Sequence, residues 1–275
     1  MADNPHVTEE VLNELHKEGA CLSRHLRRTN GHKCSHQWQA KVKAESTPEV
    51  YNYPAYSSLC DDSPGGMFLT AVRSESFPLG YAKLLKGIGG FWKAKPTHKG
   101  KEWNLGKTSG GIQNFDHYAV PYWHNAHHII PNRTLAAAIE LAGKDRPELV
   151  NLIKAGLLKA NYNLNDKINM IILPMERIVA AALSLPRHLL RDEVGPNEKQ
   201  EHRSHADYSQ QVKNRIQPII DNYKQSLAKA NDESHDSPPD DLAKEQLDDL
   251  SEEIFNFIIS EGPHLAGKAL SQLKF

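Results

Sequence analysis

The stretch that decides the fold is AHHIIP, residues 126–131, in which His127 and His128 run into two isoleucines and stop at a proline. A short apolar run bounded by proline is typical of a buried β-strand. Neighbouring side chains on a strand point to opposite faces. The sequence therefore predicts that one histidine of the pair can hold a metal ion while the other faces a substrate.

Further histidines lie near this stretch or follow it along the chain. His202 and His205 are three positions apart, so they share one face if a helix includes both. Neutral imidazole binds metal ions and titrates near physiological pH, which suits it to the roles of ligand and general base. A histidine pair on a strand with this later pair favours a metal site over unrelated surface histidines. The candidates are His117, His124, His188, His202 and His205.

The chain around these histidines predicts helices and a second strand. Thr134 is the expected N-cap of a helix. Residues 168–173, INMIIL, form a short apolar run before a proline and predict a buried strand. A long helix is expected from near Ala206, and Pro218 should kink or restart it.

The composition is that of an ordinary globular protein. A chain of 275 residues, 39% hydrophobic and 24% charged, can form one large domain or two small ones. The formal net charge of -1 does not indicate a nucleic-acid binder, so phosphate binding would need local basic patches. Basic residues that could supply such a patch are Arg187, Arg191, Arg203, Lys213 and Arg215.

The cysteines and the N-terminus bear on the compartment. Cys21, Cys34 and Cys60 are too few for a small secreted disulfide scaffold. Residues 1–19 lack the apolar core of a signal peptide, and no stretch approaches the roughly 20 apolar residues that span a bilayer. We therefore expect a chain made in the cytoplasm without membrane insertion, for which export would need a dedicated system. A group that could ligate zinc, with helix-packing cysteines as the alternative, comprises Cys21, His25, His32, Cys34 and His36.

Three motifs together resemble the AHH group of the HNH/endonuclease VII superfamily. They are AHHIIP at 126–131, NMIILP at 169–174 and HADYSQQV at 205–212, and the resemblance covers roughly residues 117–217. Members of this group are nucleases with a ββα-metal core and occur widely as bacterial toxin domains. The resemblance implies an α+β fold, mainly helical, with a small ββα-metal core and a mixed N-terminal region.

The resemblance also implies roles for residues of the first two motifs. By position, His127 would ligate the metal and His128 would be the general base that activates water. Asn169 stands where the family has its middle asparagine, which orients the base or a loop. Asn163 and Asn165 lie close enough to compete for that role.

At the last ligands, the spacing departs from the family pattern. Family members often place these two histidines four apart, whereas His202 and His205 are three apart. The resemblance implies His205 as a ligand, with His202 slightly favoured as its companion. His188 is the alternative if residues 189–201 are an insertion. Tyr208 is interpreted as a helix-packing residue rather than a catalytic one.

The implied reaction is the hydrolysis of phosphodiester bonds, with DNA favoured as the substrate and one divalent ion (Mg, Mn, Ni or Zn) as the cofactor. Such domains serve as antibacterial effectors, so the resemblance implies a cognate immunity protein, a secretion-system component and action in the target-cell cytoplasm. Two alternatives remain open. One is a ribonuclease that uses the same site, and the other is a binding protein with a structural metal.

Three parts of the chain are expected from these patterns. Residues 1–115 form the mixed N-terminal region, with a delivery or accessory role, and residues 116–230 form the nuclease. Residues 231–275 comprise an acidic linker and a C-terminal amphipathic helix.

Overall fold

The computed structural model describes residues 19–24, 34–51, 124–174, 177–188, 205–233 and 242–275. These residues form six α-helices and two β-strands, which confirms the predicted α+β class. The strands are β1 (His124–His128) and β2 (Met170–Pro174), and they pair in an antiparallel two-stranded sheet. The helices are α1 (His36–Ser46), α2 (Asn132–Ala142), α3 (Glu148–Lys159), α4 (Arg177–Ala182), α5 (Ala206–Glu233) and α6 (Leu242–Glu261).

Two compact units interleave along the sequence. The first unit is formed by the described residues of Met1–Gln39, His128–Ile171 and Ser209–Asn256. The second is formed by the described residues of Ala40–His127, Ile172–Tyr208 and Phe257–Phe275. The division falls within both strands, after His127 and after Ile171. The three-part division expected from the sequence, with boundaries near residues 115 and 230, stays a prediction.

In the first unit, α2 begins earlier than the sequence predicts. The backbone of Pro131 is extended, and its carbonyl oxygen accepts hydrogen bonds from the amides of Thr134 and Leu135, both at 3.0 Å. The proline thus precedes the first turn, and the helix begins at Asn132. The assignment of Thr134 as N-cap is therefore wrong, since its side chain lies buried inside the first turn.

The long helix α5 also differs from expectation. It runs without interruption from Ala206 to Glu233 with Pro218 inside it, so the predicted restart is wrong. Pro218 is exposed on the helix surface. Because proline has no N–H, the helix lacks one backbone hydrogen bond at this position but continues through it. Helices α5 and α6 are the longest described, but no described helix is apolar enough over sufficient length to cross a membrane.

Apolar periodicity explains how these helices pack in the first unit. Val212, Ile216 and Ile220 recur every four residues on α5 and are fully buried. On α3, Gly156 permits a close approach to Tyr223 of α5, because a Cβ at this glycine would stand 1.9 Å from the tyrosine Oη. Leu247, Leu250 and Ile254 form the buried stripe of α6, as predicted for an amphipathic helix.

In the second unit, the C-terminal segment pairs with the turn after α4. The amide of Arg187 donates to the carbonyl of Lys268 at 2.8 Å, and the amide of Leu270 donates to the carbonyl of Arg187 at 2.9 Å. The amide of His188 donates to the carbonyl of Pro174 at the end of β2, also at 2.9 Å. These backbone bonds fix the position of His188.

Candidate active site

Three histidines converge in the second unit. His127 lies on β1, His188 lies in the turn after α4, and His205 immediately precedes α5. Nδ1 of His127 lies 3.0 Å from Nε2 of His188. The ring of His205 lies 4.7 Å from that of His127 and 5.1 Å from that of His188, between centroids. One ligand nitrogen from each ring lies within 4.8 Å of the other two, so the three can hold a metal ion.

The donor set fits a divalent metal. Zinc–nitrogen bonds of about 2.0–2.1 Å place two nitrogens on a tetrahedral ion roughly 3.4 Å apart, so only small side-chain movements would close the triad on an ion. Burial lowers the pKa of His205, which favours the neutral imidazole that a metal needs. Three protein ligands also leave a coordination position open, as in catalytic sites. An all-imidazole set suits zinc, nickel or copper better than magnesium.

Neighbouring side chains hold the three rings in place. The buried Tyr208 ring lies 5.3 Å from that of His127 and 5.7 Å from that of His205, and the Phe275 ring lies 5.7 Å from Tyr208 on another side. Nδ2 of Asn125 lies 3.3 Å from Nδ1 of His188, which fixes that ring with Nε2 towards His127. These contacts support the interpretation of Tyr208 as a packing residue. They also restrict the orientation of the rings that form the triad.

The structure describes three of the ligands predicted from the sequence, His127, His188 and His205. The structure brings His188 together with His127 and His205, the arrangement that the sequence left as the alternative. The companion favoured from the sequence, His202, lies outside the described residues, as does His117. His124 is described and buried but does not belong to the triad.

His128, the other histidine of the pair, belongs to the first unit and is held by Asn165. The Nε2 atom of His128 lies 2.9 Å from Oδ1 of Asn165. Nδ2 of Asn165 donates to the carbonyl oxygen of Ser23 at 2.8 Å, which requires Oδ1 to face the histidine. Nε2 therefore carries a proton and donates it to Asn165. In the neutral ring, the lone pair then lies on Nδ1, the atom that can accept a proton.

The surroundings of His128 favour this neutral form. The side chain is only 6% exposed. Burial is the main cause that lowers the pKa of His128 to about 4; the hydrogen bond with Asn165 opposes the shift, and the charges of His36 and Arg24 add to it. The ring is consequently an imidazole rather than an imidazolium at neutral pH, which a proton acceptor requires.

Asn169, the predicted middle asparagine, fixes the chain that follows the histidine pair. Its Oδ1 accepts from the amide of Ile130 at 2.7 Å and from Oγ of Ser251 at 3.2 Å. Its Nδ2 donates to the carbonyls of Leu164, at 2.8 Å, and Ile130, at 3.2 Å. Both ends of the amide are thus engaged within the protein, which is typical of a residue that positions a loop.

Sequence reasoning missed two residues beside His128. The buried ring of His36 stacks on that of His128, with centroids 5.4 Å apart and planes at 27°. Nη2 of the exposed Arg24 donates to Nε2 of His36 at 3.5 Å. Both residues are far from the histidine pair along the chain, so no sequence spacing connects them to it. The sequence indicates His36 only as a member of the cysteine–histidine group.

That cysteine–histidine group shows no metal geometry in the described part of the chain. Only His127, His188 and His205 bring three candidate ligands together there. Cys21 instead donates to the carbonyl of Ser23 at 3.1 Å, and both Cys21 and Cys34 are buried. His25, His32 and Cys60 lie outside the described residues, so zinc binding by the whole group stays a prediction.

The predicted basic patch is only partly described. Arg187 is fully buried, and Arg215 forms an ion pair with Glu253 at 2.6 Å. Lys213 is partly exposed. Arg191 and Arg203 lie outside the described residues. Neither described arginine therefore presents an unneutralised guanidinium at the surface.

Comparison with known proteins gives one match. A family model described as a nuclease family of the HNH/ENDO VII superfamily with conserved AHH matches residues 109–254, more than half of the chain. The matched range includes all three histidines of the triad as well as His128, Asn165 and Asn169. No curated protein and no solved structure matches the chain.

Proposed function

Because the chain belongs to the AHH nuclease family of the HNH/endonuclease VII superfamily, we propose that it is a metal-dependent endonuclease that hydrolyses phosphodiester bonds of DNA. Nuclease activity follows from the family, and the metal dependence and the substrate are the proposal. The observation that carries it is the convergence of His127, His188 and His205, since three imidazoles suit a catalytic divalent ion.

The ion would be held by these three histidines. When bound, it would supply a Lewis acid that stabilises negative charge on the phosphate and on the departing oxygen. Of Mg, Mn, Ni and Zn, three imidazoles favour a transition metal over Mg.

The chain's own acid–base step is assigned to His128. Its Nδ1 accepts a proton from the attacking water while Nε2 keeps its own proton on Oδ1 of Asn165. The water oxygen forms a bond to phosphorus, and the bond from phosphorus to the leaving sugar oxygen breaks. Asn165 is a positioning residue in this scheme, since it holds the tautomer and the plane of the ring. Asn169 positions the segment after the pair and takes no direct part.

The test is a nicking assay on supercoiled plasmid, with a matched RNA substrate alongside it. We expect EDTA to stop nicking and added divalent ions to restore it. His128→Ala should lose nearly all activity while its thermal unfolding stays close to that of the unchanged chain. The control is His264→Ala, which removes an exposed histidine after α6 and should cut at the normal rate.

Other outcomes of this assay would indicate a different function for the chain. Cleavage of RNA alone would indicate the ribonuclease, and metal binding without cleavage of either polymer would indicate the structural metal site. Full nicking by His128→Ala would overturn its assignment as the base.

The biological setting is a separate part of the proposal. The sequence resemblance supports an antibacterial effector that a secretion system delivers to the target-cell cytoplasm and that a cognate immunity protein neutralises in the producer. We expect cytoplasmic expression of the active chain to be toxic and the His128→Ala variant to be tolerated. Rescue by the product of a neighbouring gene would support the immunity partner, and harmless expression of a chain that cleaves in vitro would contradict the toxin role.

A further inference from the structure

The residues beside His128 come from a part of the chain that the family match does not include. Arg24 and His36 both precede residue 109, where the match begins. The match therefore assigns them no role. In the first unit, however, His36 stacks on His128, and Arg24 contacts His36. Any role for them in cleavage rests on the proposed function.

Backbone and side-chain bonds hold the Arg24 segment in place. The amide of Cys21 donates to the carbonyl of Tyr162 at 2.8 Å, and the amide of Leu164 donates to the carbonyl of Cys21 at 2.7 Å. Nδ2 of Asn132 donates to the carbonyl of Leu22 at 3.0 Å. Together with the bond from Asn165 to Ser23, these contacts fix the chain immediately before Arg24.

His36 is fixed as firmly. It begins α1, whose N-terminus is capped by Oγ of Ser35, which accepts from the amide of Trp38 at 3.3 Å. Its ring is 1% exposed and lies against the ring of His128. The hydrogen bond from Arg24 to its Nε2 therefore ties an exposed guanidinium to a buried ring that touches the proposed base.

Within the described part of the chain, one hydrogen bond engages the guanidinium of Arg24. An arginine carries five N–H donors, and the bond to His36 uses one of them. Among the described residues no carboxylate pairs with Arg24, unlike Arg146 and Arg215, which face Glu148 and Glu253. A planar guanidinium with unused donors matches the geometry of phosphate oxygens.

We propose that Arg24 is a catalytic residue that binds the phosphate group being cleaved, and that His36 is a positioning residue that holds Arg24 beside His128. The phosphate gains negative charge as water attacks, and a fixed cation next to the proton acceptor stabilises that charge. The N-terminal segment is thereby part of the nuclease itself.

The experiment compares Arg24→Ala, Arg24→Lys and Arg146→Ala in the full chain with plasmid DNA. We expect Arg24→Ala to lower kcat/KM by about 100-fold. The kcat/KM of Arg24→Lys should be intermediate, because lysine keeps the positive charge but lacks the paired, planar N–H donors of the guanidinium. Arg146→Ala removes an exposed arginine that is already ion-paired, and it should match the unchanged chain. Thermal unfolding should be alike in all of them.

His36→Phe tests the positioning role because phenylalanine can still stack on His128 but cannot accept from Arg24. It should reduce kcat about 10-fold, with little change in KM, and should have no further effect in the Arg24→Ala background. Equal losses in both backgrounds would show that His36 does not act through Arg24.

A binding measurement in EDTA separates this inference from the proposed function. The logarithm of the affinity for duplex DNA should fall with the logarithm of salt concentration, with a slope shallower by about 0.9 in Arg24→Ala if one phosphate contact is lost. Identical slopes and an unchanged kcat/KM would overturn the role of Arg24 even if His128→Ala is inactive. A shallower slope would support the phosphate contact even in a chain that cleaves nothing.

Discussion

At the scale of single residues, the proposed mechanism depends on which nitrogen of His128 carries the proton. Asn165 determines this because its amide nitrogen is committed to the Ser23 carbonyl and only its oxygen remains for the ring. Replacing this residue therefore tests the tautomer without touching the base or the triad.

We predict that Asn165→Leu lowers the nicking rate by about 10- to 100-fold, the usual effect of losing a partner that orients a histidine. A leucine cannot accept from Nε2, so the ring would be free to rotate or to exchange tautomers. The measurement is the rate at saturating plasmid and metal, with divalent-metal affinity as the control, which should not change. An unaltered rate would show that Asn165 does not hold the base.

Asn169 illustrates the opposite situation at the same scale. It matches the family position, yet its described hydrogen bonds go to Ile130, Leu164 and Ser251. These bonds suit the loop-orienting role that the resemblance allows for this residue, and its role in catalysis stays a prediction. Asn165, which sequence reasoning kept only as a competitor, makes the contact with His128.

At the scale of helices and strands, a tight constraint in the first unit is the approach of α3 to α5 at Gly156. A Cβ there would lie 1.9 Å from Oη and 2.9 Å from Cζ of Tyr223. The neighbouring ring is buried and cannot simply move into solvent. Substitution at this glycine must therefore shift a helix or a tyrosine.

We predict that Gly156→Ala lowers the free energy of unfolding by about 1–3 kcal/mol, the usual cost of overpacking. Tyr223→Phe removes the nearest clashing atom, so the double variant should recover part of that loss. Urea unfolding of the single and double variants measures both effects. Equal stability of Gly156→Ala and the unchanged chain would contradict this close packing of α3 on α5.

Local patterns account for most of the elements but not for the assembled site. The apolar run ahead of Pro174 and the stripes of α5 and α6 are visible in the sequence because burial imposes a period of two or about four. The start of α2 was misjudged because Pro131 sets the first turn in place of a capping hydroxyl. His188 could not be chosen from spacing, since backbone bonds to Pro174 and the C-terminal segment bring it to the triad.

At the scale of the whole molecule, both ends of the chain contribute outside the family match. Arg24 and His36 precede the match and contact each other beside His128, whereas Phe275 follows it and contacts Tyr208 beside the triad. No local pattern predicts such contacts because the residues involved are far apart in the sequence. The matched range alone therefore leaves out residues that contact His36, His128 and Tyr208.

Buried phenols throughout the molecule predict a loss of stability in alkali. Burial raises the pKa of Tyr51, Tyr162 and Tyr208 above the ordinary value of 10.0. Above pH 10 the unfolded chain releases these protons while the folded chain keeps them, so the folded state binds more protons and the free energy of unfolding falls as pH rises. Each phenol contributes a slope of up to about 1.4 kcal/mol per pH unit.

Urea unfolding followed by circular dichroism between pH 8 and about 11 measures this slope. Tyr162→Phe removes one titrating group, and its slope should be shallower than that of the unchanged chain. A free energy of unfolding that stays constant over the interval would contradict the burial of these rings.

The proposed metal site consists of His127, His188 and His205, which would together hold the ion on which cleavage depends. Its most direct test is the rate of plasmid nicking as a function of added divalent metal, compared between the unchanged chain, His188→Ala and the exposed-histidine control His264→Ala. If the triad holds the ion, His264→Ala follows the unchanged curve, and His188→Ala needs at least about 10-fold more metal or shows no nicking. Nicking by His188→Ala at the same metal concentrations and the same rate as the unchanged chain would contradict the claim.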